Sequence, residues 1–152
     1  MENNHQEKAV ALFKEGFNCA QAVFAAYSEE LGIDTETALK LSSSFGGGMG
    51  RMREVCGAVS GMFMAAGLKY GYSDPKDMKA KADHYKLIRN LAHRFKEQNG
   101  SIICKDLLGL LKSEGTPVPA KRTADYYKKR PCVDLVRDAA KILDEYMEEH
   151  KS

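Results

Sequence analysis

The chain has 152 residues, 43% of them apolar and 29% charged, with a formal net charge of +2. That length suits a single helical domain over 1–152 with an ordinary core, and the composition excludes a disordered or collagen-like chain. So small a charge gives no ground for a nucleic-acid partner, and no apolar stretch reaches the roughly 20 residues that a bilayer crossing needs.

The N-terminal segment MENNHQEKAVALF has no basic region followed by an apolar core, so a cytoplasmic location is expected. Ala9, Val10, Leu12 and Phe13 fall at helical spacing and predict a first helix over 6–15, stopped by Gly16. Asn18 with Gln21 three residues later is a capping-box pattern, which makes Cys19 the first residue of a second helix running to a stop at Gly32. Asp34 then caps a third helix that ends near Ser44.

A glycine loop follows, with Gly46, Gly47, Gly48 and Gly50, then Arg51 and Arg53. It lacks the lysine of a P-loop and no strand precedes it, so nucleotide binding is not expected, although a nest of backbone N–H groups for a small anion is open to it. The central helix is expected from about Glu54 to Gly71, and its Gly57, Gly61 and Ala65 recur four apart, on one face. Glycine in a helix costs about 1 kcal/mol relative to alanine, so the stripe serves either a tight helix crossing or a bound group or second sulfur beside Cys56.

Asp74 and Pro75 read as the start of a long helix ending at Asn99 and Gly100, with Met78, Ala82, Tyr85, Ile88, Ala92 and Phe95 inward. Ser101 caps a short helix over 102–111, with Cys104 in its first turn. The stretch 113–120, with Gly115, Pro117 and Pro119, is a loop. A basic patch of Lys121, Arg122, Lys128, Lys129 and Arg130 around Tyr126 and Tyr127 follows, too short to indicate a nucleic-acid site. The last helix begins at Pro131, so Cys132 opens it, and Val133, Val136, Ala140, Leu143 and Met147 give its apolar stripe. No stretch alternates, and the expected fold is all-α, a single-domain bundle of five to seven helices.

The four cysteines, Cys19, Cys56, Cys104 and Cys132, are scattered, with no C-x-x-C pair and no C-x-x-C-H haem motif, so any joint site must be assembled by the fold. All four are expected in the first turn of a helix, where unpaired N–H groups and the dipole favour a thiolate, the form that attacks disulfides and binds soft metals. Arg51 and Arg53 make Cys56 the candidate nucleophile. Of the histidines, His5, His93 and His150 read as structural or solvated, with His84 held in reserve.

These residues resemble the C_GCAxxG_C_C family, named for its cysteine pattern: a first cysteine, here Cys19 in Asn18-Cys19-Ala20-Gln21; a CGAxxG-type motif, here Cys56-Gly57-Ala58-Val59-Ser60-Gly61; and two later cysteines, Cys104 and Cys132. The resemblance covers nearly the whole chain and implies a redox-active protein encoded near transporter genes, with no established substrate. Three readings follow: a thiol-dependent oxidoreductase working with a redox or transporter-associated partner through Cys19, Cys56, Cys104 and Cys132; a zinc or iron–sulfur site with the same four cysteines as ligands; and an interaction protein whose cysteines merely pack.

Overall fold

The computed structural model describes residues 4–109, 122 and 131–151. Helix α1, His5–Glu15, is capped by Asn4 and stops at Gly16, whose φ of 118° is the left-handed turn that glycine accommodates. Helix α2, Cys19–Ala26, carries the expected box: the Asn18 side chain accepts from the Gln21 N–H, and the Gln21 side chain accepts from the Asn18 N–H. It ends at Ala26 rather than near Gly32, and turns carry the chain on to Asp34. Asp34 caps α3, Thr35–Ser42, which runs into a 3-10 turn, Ser43–Phe45.

Helix α4, Gly57–Tyr70, starts three residues later than its sequence suggests. Val55 pairs with Ile103 in an antiparallel bridge, and the Cys56 N–H donates to the Ile102 carbonyl at 2.7 Å, so 54–56 are drawn into extended backbone. Helix α5, Met78–Asn99, also starts late, with Asp77 rather than Asp74 as its cap. Asp74 instead organises the preceding turn, accepting from the Lys76 and Asp77 N–H groups. Helix α6, Cys104–Leu107, is shortened at both ends against its expected span, because Ile103 belongs to the bridge and Leu108 already caps it. Helix α7, Cys132–Glu149, follows Pro131 as its pattern indicates. The expected loop at 113–120 and all of the basic patch except Arg122 lie outside the described residues.

The described residues thus form an all-α bundle of seven α-helices with no strand. Helix α4 packs most closely on α2 and also against α5 and α7, while α1 packs on α2 and α7. Ala20 and Val23 of α2 meet α4 at Gly57 and Gly61, where an added methyl would sit 3.1 Å from the Ala20 nitrogen and 2.7 Å from the Ala20 oxygen, respectively. The small-residue stripe is therefore a tight crossing. At Gly57 it also makes room for a sulfur-bearing residue, since the same methyl would lie 3.2 Å from the Cys19 Cβ.

The buried stripe of α5 is Leu87, Leu91 and Phe95, not the face beginning at Met78, which is 65% exposed, nor Tyr85, at 52%. With 22 residues against 14, α5 outruns α4 by about 12 Å, and Tyr72 lies against His84 and Tyr85 in its first half. On α7 the buried set is Leu135, Val136, Ala139, Ala140, Ile142 and Leu143, with Val133 and Met147 half-buried at the margins.

Candidate functional site

The four cysteines, far apart in the chain, line one cavity of about 60 Å³. Cys19, Cys104 and Cys132 are the first residues of α2, α6 and α7, and Cys56 is the residue that caps α4. All four are thiols; Cys56, Cys104 and Cys132 are buried, and Cys19 is half-buried. Cys19 is thus the most exposed of the four cysteine residues.

Two pairs can be distinguished. The bridge between Val55 and Ile103 is flanked by two hydrogen bonds, Cys56 N–H to Ile102 and Cys104 N–H to Glu54 at 2.6 Å. Successive side chains on extended backbone point to opposite faces, so Cys56 and Cys104 project to one face as diagonal neighbours across the bridge, away from Val55 and Ile103. Cys19 and Cys132, each opening a helix, share a thiol–thiol hydrogen bond.

The protons respond to these surroundings. The Cys19 thiol is pushed well up, first because it donates to the Cys132 sulfur, then by burial and by the neighbouring sulfurs. Cys132 opens an 18-residue helix, whose N-terminal N–H groups favour negative charge on its sulfur. Burial pushes the Cys56 thiol up to about 12, although the Val59 and Ala58 N–H groups at the start of α4 oppose the shift. Among the other sulfurs, Cys104 raises it most.

The glycine loop supplies the cavity's cation. Gly47, Gly48, Met49, Gly50 and Arg51 have φ of 64°, 70°, 67°, 58° and 64°, a left-handed turn that continues to Arg53 at 61°. For Met49, Arg51 and Arg53 this costs about 1–2 kcal/mol each. The turn is held by its own backbone: the N–H groups of 49–54 donate to carbonyls between Ser44 and Met49. Those six donors are consumed internally and are not available to an anion.

The turn instead carries Arg53 inward. Its residue is 3% exposed, and one guanidinium nitrogen donates to the Cys104 sulfur at 3.6 Å. An arginine stays charged, so this contact favours thiolate on Cys104. Gly48 permits the approach, because a methyl there would lie 2.6 Å from the Cys104 Cβ. Arg122 also borders the cavity, but its nitrogens donate to the Phe13 and Phe17 carbonyls and its guanidinium stacks 4.1 Å above the Phe13 ring, so it closes the end of α1.

Sequence reasoning named all four cysteines and flagged Arg53, but tied its charge to Cys56 rather than Cys104. Of the two readings it gave His5, structural or solvated, the structural one holds: the residue is 4% exposed, stacked on Tyr27 and bonded through Nδ1 to Asp144 at 2.7 Å. His93 is exposed beside Glu97, and His84 lies near Tyr72 rather than in the cysteine cavity. Among the described residues no three His, Cys, Asp or Glu side chains are arranged to hold a metal ion, and no helix is long and apolar enough to cross a membrane.

The sequence model of a family described as "Putative redox-active protein (C_GCAxxG_C_C)" matches residues 17–146, a span that contains all four cysteines. The chain is also similar to an uncharacterized protein of Archaeoglobus fulgidus, 26% identical over 154 residues that cover 97% of this chain and 95% of that protein. No solved structure matches.

Proposed function

This chain belongs to the C_GCAxxG_C_C family, and we propose that it is a thiol–disulfide redox protein that exchanges electrons with a partner through Cys19 and Cys132. The observation that carries the reading is the hydrogen bond between these two thiols at a cavity lined by all four cysteines. The reduced pair holds one proton, on Cys19, with Cys132 as thiolate. Cys132 takes that proton through the hydrogen bond, and the Cys19 sulfur attacks one sulfur of a partner disulfide. The partner's S–S bond breaks, its departing thiolate is protonated by Cys132, and a mixed disulfide forms. Cys132, again a thiolate, attacks the Cys19 sulfur, closes the internal bridge and releases the second partner thiolate, which takes a proton from water. Two electrons pass from the pair to the partner, whose disulfide becomes two thiols.

A redox protein or a transporter-associated protein is the partner class that the family resemblance implies, and it would meet the chain at the half-buried Cys19. The test is equilibration in mixtures of reduced and oxidised dithiothreitol with thiols counted after acid quenching. The reading expects a reversible loss of two thiols per chain across the series. A count of four throughout would end it.

A second reading is favoured by the same cavity. Four thiolates are the ligand set of zinc or of an iron–sulfur cluster, and among the described residues no three side chains are arranged to hold a single metal ion. When bound, such a cluster would supply one-electron transfer, with Cys19, Cys56, Cys104 and Cys132 as its holders. Stoichiometric iron with visible absorption in protein purified without air would support it; iron-free, folded protein that takes up none on reconstitution would dismiss it.

A further inference from the structure

The second thiol pair has no role in that exchange, and it has the features of a reaction site of its own. We infer that Cys104, beside the Arg53 guanidinium, is the attacking thiol for a small hydroperoxide admitted to the cavity, and that Cys56 resolves the product. The inference rests on the thiol-redox reading and assigns a substrate class to the inner half of the same cavity.

Size is the first ground. Cys56 and Cys104 are 3% and 8% exposed, and the void they border is about 60 Å³, enough for a molecule of a few heavy atoms and too small for a peptide disulfide. Charge is the second. The contact from Arg53 to the Cys104 sulfur favours the thiolate needed for attack, and a guanidinium at that position also stabilises the hydroxide expelled from the O–O bond. Placement is the third. Cys56 projects to the same face of the bridge as Cys104.

The step balances as follows. The Cys104 thiolate attacks the distal oxygen of hydrogen peroxide, the O–O bond breaks, and sulfenic acid forms while hydroxide leaves and is protonated to water. The Cys56 sulfur then attacks the Cys104 sulfur, an S–S bond replaces the S–O bond, and a second water departs with the Cys56 proton. Two thiol groups are oxidised and one peroxide is reduced. The Cys132 thiolate can return the electrons by attacking this bridge, leaving a Cys19–Cys132 disulfide for an external dithiol to reduce.

The experiment adds hydrogen peroxide to the fully reduced chain, quenches with acid at short times and maps bridges by mass spectrometry. A Cys56–Cys104 bridge is expected first; Cys56→Ser should instead accumulate sulfenic acid on Cys104, captured by dimedone, and Cys104→Ser should slow peroxide consumption at least about tenfold. Should Cys104→Ser not fold by circular dichroism, the dimedone adduct in Cys56→Ser decides, and the wild-type map decides without either variant. First oxidation at Cys19 or Cys132, or wild-type consumption by folded Cys104→Ser, overturns the inference. Oxidised glutathione, added in parallel, separates the two readings. If it oxidises Cys19 while peroxide leaves the inner pair intact, only the peroxide site falls; if neither agent oxidises any thiol, the thiol-redox reading falls with it.

Discussion

Gly61 of α4 faces the backbone oxygen of Ala20 on α2, so closely that a methyl group on it would lie 2.7 Å from that oxygen. Because Ala20 follows Cys19 and Gly61 follows Cys56 by little more than one turn, this crossing sets the separation of two of the four sulfurs. Backbone cannot swing aside as a side chain can. Gly61→Ala should therefore destabilise the fold by about 1–3 kcal/mol through overpacking. Gly67 lies on the same helix with nothing within 4 Å, and Gly67→Ala should stabilise by about 0.5–1 kcal/mol. Urea midpoints of the two variants, measured side by side on reduced protein, check both signs.

Cys132→Ala should make Cys19 more reactive. The largest cause holding the Cys19 thiol up is its hydrogen bond to the Cys132 sulfur, and removing that acceptor lets its pKa fall. At a pH below the pKa, each unit of fall gives about tenfold more thiolate. Iodoacetamide labelling of Cys19 near pH 8, followed by peptide mass mapping, is expected to run faster in the variant than in the wild type. An equal or slower rate would show that the hydrogen bond does not govern this thiol.

The Cys56 thiol imposes a pH dependence on stability. Its folded-state value of about 12 lies above the ordinary 9.0, so between these values the unfolded chain has released a proton that the folded chain keeps. The stabilisation is complete below about pH 9 and declines as pH rises, by about 1.4 kcal/mol per unit. Cys19 acts in the same direction. Urea unfolding from pH 8 to 10.5 should show a shallower decline for Cys56→Ala than for the wild type, although the variant starts lower because it leaves a cavity.

Asp144→Ala should weaken the fold without touching the thiols. Asp144 accepts from the Tyr27 hydroxyl at 2.9 Å and holds His5 Nδ1, tying α1 and α2 to α7. Tyr27 retains the Ala140 carbonyl, at 2.9 Å, as an acceptor, whereas Nδ1 of the buried His5 loses the carboxylate. A loss of about 1–3 kcal/mol is expected, with thiol counts and Cys19 labelling rates unchanged under native conditions. Altered thiol reactivity would mean that this network and the sulfur cavity are coupled.

Local signals made most of the helices legible. The Asn18–Gln21 box, the left-handed stop at Gly16 and the proline before α7 are decided by residues a few positions apart, and they lie where the sequence puts them. The misreadings have a common source in distant partners. Nothing near Glu54 announces that Val55 will pair with Ile103, and that bridge delays both α4 and α6. Nothing within α5 shows which of its two apolar faces meets the bundle, and it is Leu87, Leu91 and Phe95 that are buried while Met78 and Tyr85 are exposed. At the cavity, the placement of the four cysteines at helix starts was readable from caps, whereas the assignment of Arg53 to Cys104 was not. It depends on a left-handed turn that three non-glycine residues adopt against their own preference.

The most direct measurement is the identity of the bridge formed when the reduced chain is oxidised by a disulfide. Oxidised dithiothreitol at equilibrium, alkylation of the remaining thiols and peptide mapping should return Cys19 joined to Cys132, with Cys56 and Cys104 alkylated. Mixed adducts spread over separate cysteines, or four alkylated thiols with no bridge, would contradict a redox pair at Cys19 and Cys132.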